Sequence, residues 1–160
     1  MCYNELSQEE GKTQMIYCGY QGVGKTSYCK QHPNTTIDLD SSAFEKSPKW
    51  EENYIKIALS LSHDKDVFVS AHKEVIEYCI NNRIIFAIVA PKASKEMWRA
   101  RLQFRLYKNN TVPNAKALTD FELNFEKDME YFSQLQAQGV SVRWVSASVV
   151  TTLNEIIPHK

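Results

Sequence analysis

The residues best placed to do chemistry form one octapeptide, Gly19-Tyr20-Gln21-Gly22-Val23-Gly24-Lys25-Thr26, of the form G-x-x-x-x-G-K-[ST]. Glycines at those spacings let the backbone curl until several N–H groups point at one anion. The lysine of this pattern reaches the β- and γ-phosphates of a nucleotide, and the threonine hydroxyl ligates Mg²⁺. Gly19, Gln21, Gly22, Val23, Gly24, Lys25, Thr26 and Ser27 are therefore the candidate nucleotide-binding residues. A second Gly-Lys-Thr at residues 11–13 has Leu6 where the first glycine belongs, and it precedes a strand-like run instead of following one. It acts as an internal control.

Three further constellations lie downstream. Asp38 and Asp40 close a short strand-like run with one residue between them. That spacing puts two carboxylates on one face of a strand, near the phosphate loop if the strands are neighbours. One can hold a water on Mg²⁺ and the other can orient or deprotonate an acceptor hydroxyl. Which does which stays open, and a solvated turn is the plain alternative. The run Val67-Phe68-Val69 leads into Ser70, His72 and Lys73, with no acid where a metal-supporting aspartate commonly ends such a strand. Asp38 is then the candidate metal partner beside Thr26, and Ser70 and His72 are candidate acceptor contacts. Arg101, Arg105 and Lys108 share one helical face while Arg99 points elsewhere. Cations so placed can balance the charge of a transferring phosphoryl group. The competing reading is a solvated basic face paired with acids of residues 119–130. Trp50 either stacks on a base, caps an acceptor pocket or packs in the core.

The elements that must position these groups alternate. Strands are expected at about 14–18, 35–40, 67–69, 84–90 and 140–145, the first, third and fourth as short apolar runs of the buried type and the second ending in acid residues. Helices are expected at 26–31, 51–61, 73–82, 94–108, 119–138 and 149–157. A loop over Asn109–Asn114, containing Pro113, separates two of them, and Gly139 stops the fifth. Five such alternations predict an α/β fold with a five-stranded, mostly parallel sheet and helices on both faces. Ligands in such folds sit at the carboxyl ends of the strands.

Composition sets the bounds. The chain has 160 residues, enough for one domain with a sizeable core. Residues 1–13 read as a polar leader and 14–160 as one domain. Nineteen basic residues balance nineteen acidic ones, so net charge gives no indication of a nucleic-acid partner. Cys2, Cys18, Cys29 and Cys79 form no C-x-x-C, which fits reduced thiols packed in the core of a cytoplasmic protein. No apolar run is long enough for a membrane span.

With these motifs in view, the chain resembles the small P-loop kinases of the adenylate, shikimate and gluconate kinase group, closest to the phage- and prophage-type nucleotide kinase-like proteins. The phosphate loop carries the resemblance, with Asp38-Leu39-Asp40, Val69-Ser70-Ala71-His72-Lys73 and Arg101-Leu102-Gln103-Phe104-Arg105. It implies a P-loop NTPase three-layer fold with ATP and Mg²⁺ at Lys25 and Thr26. It further implies metal and acceptor roles for Asp38 and Asp40, an acceptor-binding insertion at 41–65, and a lid-like segment at 92–118 that carries Arg101 and Arg105. The implied activity is transfer of the γ-phosphoryl group to a small acceptor, a nucleotide or nucleoside. A hydroxyl compound or a polynucleotide 5′-hydroxyl is the alternative, and an ATP-binding switch without transfer is the rival class. The chain departs from adenylate kinases in lacking Asp-Gly-x-Pro-Arg after the third strand. It also has no arginine between Thr119 and Gln138, where Lys127 is the only cation.

Overall fold

The computed structural model describes residues 15–146. The expected leader, Cys2 and the closing helix at 149–157 lie outside them. Five parallel strands form one sheet: β1 (Ile16–Gly19), β2 (Thr36–Asp38), β3 (Asp66–Ser70), β4 (Phe86–Pro91) and β5 (Val142–Val145), in the order β2-β3-β1-β4-β5. Five α-helices connect them: α1 (Lys25–Gln31), α2 (Trp50–Leu61), α3 (Lys73–Asn81), α4 (Lys95–Lys108) and α5 (Val112–Ala137). A 3-10 turn at Ser41–Ala43 precedes α2. The step from β1 to β2 runs opposite to the later steps. Right-handed crossovers therefore place α1 on one face and the later helices on the other.

Side-chain alternation along the strands agrees. Tyr17 of β1 stacks on Phe68 of β3, and Tyr28 of α1 packs against the same ring. The next residue, Cys18, points the other way and meets Cys79 of α3. Val67, Phe68, Val69, Ala87, Ile88, Val89 and Ala90 are fully buried, as central strands covered on both faces must be. Cys18, Cys29 and Cys79 are buried free thiols. No helix among the described residues is long and apolar enough to cross a membrane.

β2 and β1 are not neighbours, because β3 lies between them. Two expectations need correction. β4 starts at Phe86 rather than Ile84, because Arg83 turns left-handed (φ 54°) and the Ile84 N–H bonds back to Cys79 O. The larger change is α5, which begins at Val112, seven residues before the expected start. Pro113 sits in its first turn, where a proline has no helical hydrogen bond to lose, and Thr111 caps it by accepting from Asn114 N. The second half of the segment expected as a loop is thus the first turn of a 26-residue helix. Gly139, at φ 102°, follows that helix's C-cap.

Candidate functional site

The phosphate loop runs from the end of β1 into α1, at the carboxyl edge of the sheet. Gly22 and Gly24 hold φ of 89° and 95°, the left-handed region that other residues avoid. Gly24 is the N-cap of α1 and no side chain caps its first turn, which leaves the opening N–H groups to a ligand. Lys25 folds back along Gly19, so closely that a Cβ there would lie 2.8 Å from Lys25 Cδ, and its Nζ donates to Gly19 O at 2.9 Å. Ser27 is exposed on the first turn of α1, and Val23 is fully buried.

α4 supports the loop from outside. Trp98, fully buried, donates its indole N–H to Gln21 O at 2.9 Å. Arg101 donates Nε to Gly22 O at 2.5 Å and lies 5.0 Å from the Trp98 ring. A Cβ on Gly22 would meet Leu102 Cδ2 at 2.9 Å and Trp98 Nε1 at 3.1 Å. Loop curvature and the α4 seat therefore depend on the same glycine.

In front of the loop opens a cavity of about 480 Å³. Gln21, Lys25 and Thr26 form one wall, and Asp38, Leu39, Asp40 and Ser41 a second. Ser70 and His72, Arg105, and the start of α5 from Val112 to Lys116 complete it. Although β3 separates β2 from β1, Asp38 reaches the loop: Thr26 Oγ1 donates to Asp38 Oδ2 at 2.7 Å. Asp40 lies past the strand end, so the alternation argument does not govern it. Its Oδ1 accepts from Ser42 N at 2.9 Å and caps the 3-10 turn. Ser70 Oγ and His72 Nδ1 are 2.6 Å apart. Desolvation lowers the His72 pKa below the ordinary value, with Glu74 opposing, so the ring is neutral at pH 7.

Trp50 is buried at 9 % exposure, not an open stacking surface. It packs on Tyr54 and edge-on to His72, and Lys46 sits 4.5 Å from its ring. It also lines an outer pocket of about 650 Å³ that shares Lys46, His72, Lys116 and Asp120 with the first cavity.

The basic face of α4 divides between the two readings offered by the sequence. Arg99 makes a bidentate pair with Glu122, at 2.8–3.0 Å, and Lys95 pairs with Glu126 at 3.0 Å. Those two are the cations held by acids of α5. Arg101 is turned to the loop backbone, and Lys108 lies over Phe104 outside the cavity. Of the α4 cations only Arg105 lines the cavity, and its Nε is buried with no hydrogen-bond partner among the described residues. Desolvation lowers its pKa, and lowers that of Lys25, on which Arg105 also acts while Asp38 opposes.

Sequence reasoning missed Trp98, Lys46 and Lys116. Lys116 was obscured by the misplaced helix start; Thr111 followed by Pro113 was the available signal. Lys46 donates to the carbonyls of Ser41 and Phe44, and neither Lys46 nor Lys116 makes an ion pair among the described residues.

These groups fit a magnesium nucleotide. No side chain caps the opening N–H groups of α1, and Lys25 and Arg105 face one cavity with neither in an ion pair among the described residues. Among the described residues no cluster of three or more His, Cys, Asp or Glu could hold a metal by itself. Mg²⁺ here would rest on Thr26 and Asp38, with phosphate oxygens and waters completing its octahedron.

No protein-family model matches the chain, and no curated protein matches it in sequence. Among solved structures it is similar to the shikimate kinase of Bacteroides thetaiotaomicron, at 15% identity and a TM-score of 0.47, over 84% of this chain and 86% of that one. It is also similar to an uncharacterized protein from Eubacterium ventriosum, at 12% identity and a TM-score of 0.45, over 91% and 96%. The P-loop α/β assignment rests on the strand order and the loop, not on these likenesses.

Proposed function

We propose that the chain is an ATP-dependent kinase that moves the γ-phosphoryl group to a small acceptor, a nucleotide or nucleoside. The observation that carries this reading is Arg105, whose buried Nε has no hydrogen-bond partner among the described residues, facing the same cavity as Lys25. Two desolvated cations, neither in an ion pair among the described residues and with Asp38 and Asp40 acting on Lys25 alone, suit a dense anion arriving there. Bound Mg²⁺ would neutralise phosphate charge, supported by Thr26 and Asp38. Lys25 would hold the terminal phosphates, and Arg105 would face the charge spread over the transferring group. Arg101 would act one step back, by fixing the loop.

The acceptor side is formed by Asp40, Ser70, His72 and the edge of Trp50. Asp40 is engaged as a cap on Ser42 N, which weakens its candidacy as a hydroxyl base. The outer pocket is lined by Lys46, Lys49 and Lys116 and by Glu51, Glu74 and Asp120, so its charges balance. The engaged Asp40 favours an acceptor that carries its own phosphate, hence a nucleotide. A hydroxyl acceptor is the second reading, favoured by the neutral His72 hydrogen-bonded to Ser70, which is suited to accept a proton. The buried free thiols support a cytoplasmic setting.

The test is an ATP-consumption screen over nucleosides, nucleoside monophosphates, small alcohols and oligonucleotides. Turnover stimulated most by a nucleoside monophosphate supports the reading. Stimulation only by uncharged alcohols would move it to the second. ATP loss independent of every acceptor would leave a nucleotide switch.

A further inference from the structure

The carboxyl ends of β2 and β3 separate one rung before their hydrogen bonding should end. The parallel ladder runs through Asp66 N to Thr35 O and Leu39 N to Phe68 O, each at 2.9 Å. Its next rung would be Ser70 N to Leu39 O. That rung is not direct. The Ser70 N–H donates instead to the Tyr54 hydroxyl at 3.0 Å, and the same hydroxyl donates to Leu39 O at 2.5 Å. One side chain from α2 has been inserted into the sheet ladder.

A direct rung holds N and O about 2.9 Å apart, whereas two such legs meeting at a near-tetrahedral oxygen hold them about 4.5 Å apart. The extra width falls between Leu39-Asp40-Ser41 and Ser70-His72, which line the cavity from the ends of adjacent strands. Tyr54 cannot relax out of the way, being 0 % exposed and packed between Phe44 and Trp50 at ring distances of 4.8 and 5.4 Å. Trp50, one turn earlier on α2, meets His72 directly. One helix thus touches both walls.

We infer that Tyr54 is a positioning residue whose hydroxyl spaces the acceptor side of the cavity, holding the Asp40 wall away from the Ser70–His72 wall. The functional part of this inference rests on the kinase reading; the spacing itself does not. The donor is held at the loop and α4; Asp38, next to Leu39, stays tied to that side by its bond from Thr26.

Tyr54→Phe tests it with little change of shape. In the crystal structure of the variant, Ser70 N and Leu39 O should close to a direct bond. The affinity for a non-hydrolysable ATP analogue should stay within about twofold, while kcat/KM for the best acceptor falls at least tenfold, through the acceptor KM or kcat and not through the KM for ATP. Unchanged wall separation, or a water taking the hydroxyl's place, would overturn the spacing; a closed rung with unchanged acceptor kinetics would overturn the functional part. If the wild-type protein transfers to no acceptor, the kinase reading fails, and the rung and the analogue affinity still decide the spacing. Should the variant fold poorly, slow exchange of the Ser70 amide in the wild-type protein, faster in Tyr54→Phe than neighbouring β3 amides, gives the wrong result for a direct rung and rejects the inference.

Discussion

Arg105→Met separates the cost of the site from its purpose. Methionine keeps an unbranched stem of similar reach and removes the guanidinium. In the ligand-free protein that guanidinium is desolvated, and its Nε has no partner. A buried unsatisfied donor costs about 1–3 kcal/mol. Removing it should therefore raise the stability of the ligand-free chain by about that amount. For a domain of this size each kcal/mol is worth about 2–4 °C in Tm, so the expected rise is roughly 3–10 °C. With nucleotide the sign reverses. A charge-assisted contact to phosphate is worth about 1.5–3 kcal/mol, so ATP affinity should fall about 10- to 100-fold. The stabilisation conferred by a fixed, saturating ATP concentration should shrink by the same 1.5–3 kcal/mol or so. Transfer should slow about 10²–10³-fold, as when one preorganised stabiliser of developing charge is removed. Thermal melts of both proteins, with and without Mg-ATP, check every step. A variant that is less stable without ligand and keeps the full ATP-induced shift would refute the reasoning.

Gly22→Ala combines a left-handed φ with a Cβ 2.9 Å from Leu102, so it should cost about 1–3 kcal/mol in a chemical melt and weaken ATP binding at least tenfold or so. Asp38→Asn keeps the shape beside Thr26 and removes the charge; the Mg²⁺ concentration for half-maximal rate should rise about 10- to 100-fold, read from a magnesium titration, with the acceptor KM unchanged. Asp128 tests the electrostatics away from the site. Burial, with Asp120 adding, holds its carboxyl up at about 6, above the unfolded value of about 3.9. A raised folded pKa means that the stability it contributes is fully present below about pH 4 and is lost as pH rises through about 6. Asp128→Asn should flatten the fall in Tm across that window and leave the protein more stable at pH 7.

Much of this arrangement was legible because it is local. The phosphate loop declares itself in consecutive residues, and its strand and helix are fixed by an apolar run before it and a glycine cap within it. The helical register of α4 correctly set Arg99 apart from Arg101 and Arg105. What periodicity could not give was which cation faces what. Arg101 and Arg105 share a face, yet one turn of rise brings the first against Gly22 O and the second into the cavity. Strand order was equally hidden, since nothing in β2 records that β3 will lie between it and β1. Asp38 reaches Thr26 all the same, because the sheet brings their ends to one edge. Pro113 misled because proline breaks helix interiors but is at home in a first turn, and Lys116 was lost with it. Tyr54 carried no signal of its own: a tyrosine at a buried helical position looks the same whether its hydroxyl is idle or set into a sheet.

The central claim is that this cavity joins a nucleotide donor to an acceptor on opposite walls. The most direct measurement is the ratio of ADP formed to acceptor phosphorylated, in the wild-type protein and in Lys25→Ala, with the fold of the variant checked by its melt. The account predicts one ADP per phosphorylated acceptor, little ADP without acceptor, and neither product from a folded Lys25→Ala. ADP and free phosphate released at the same rate with or without acceptor, or transfer undiminished in Lys25→Ala, would contradict it.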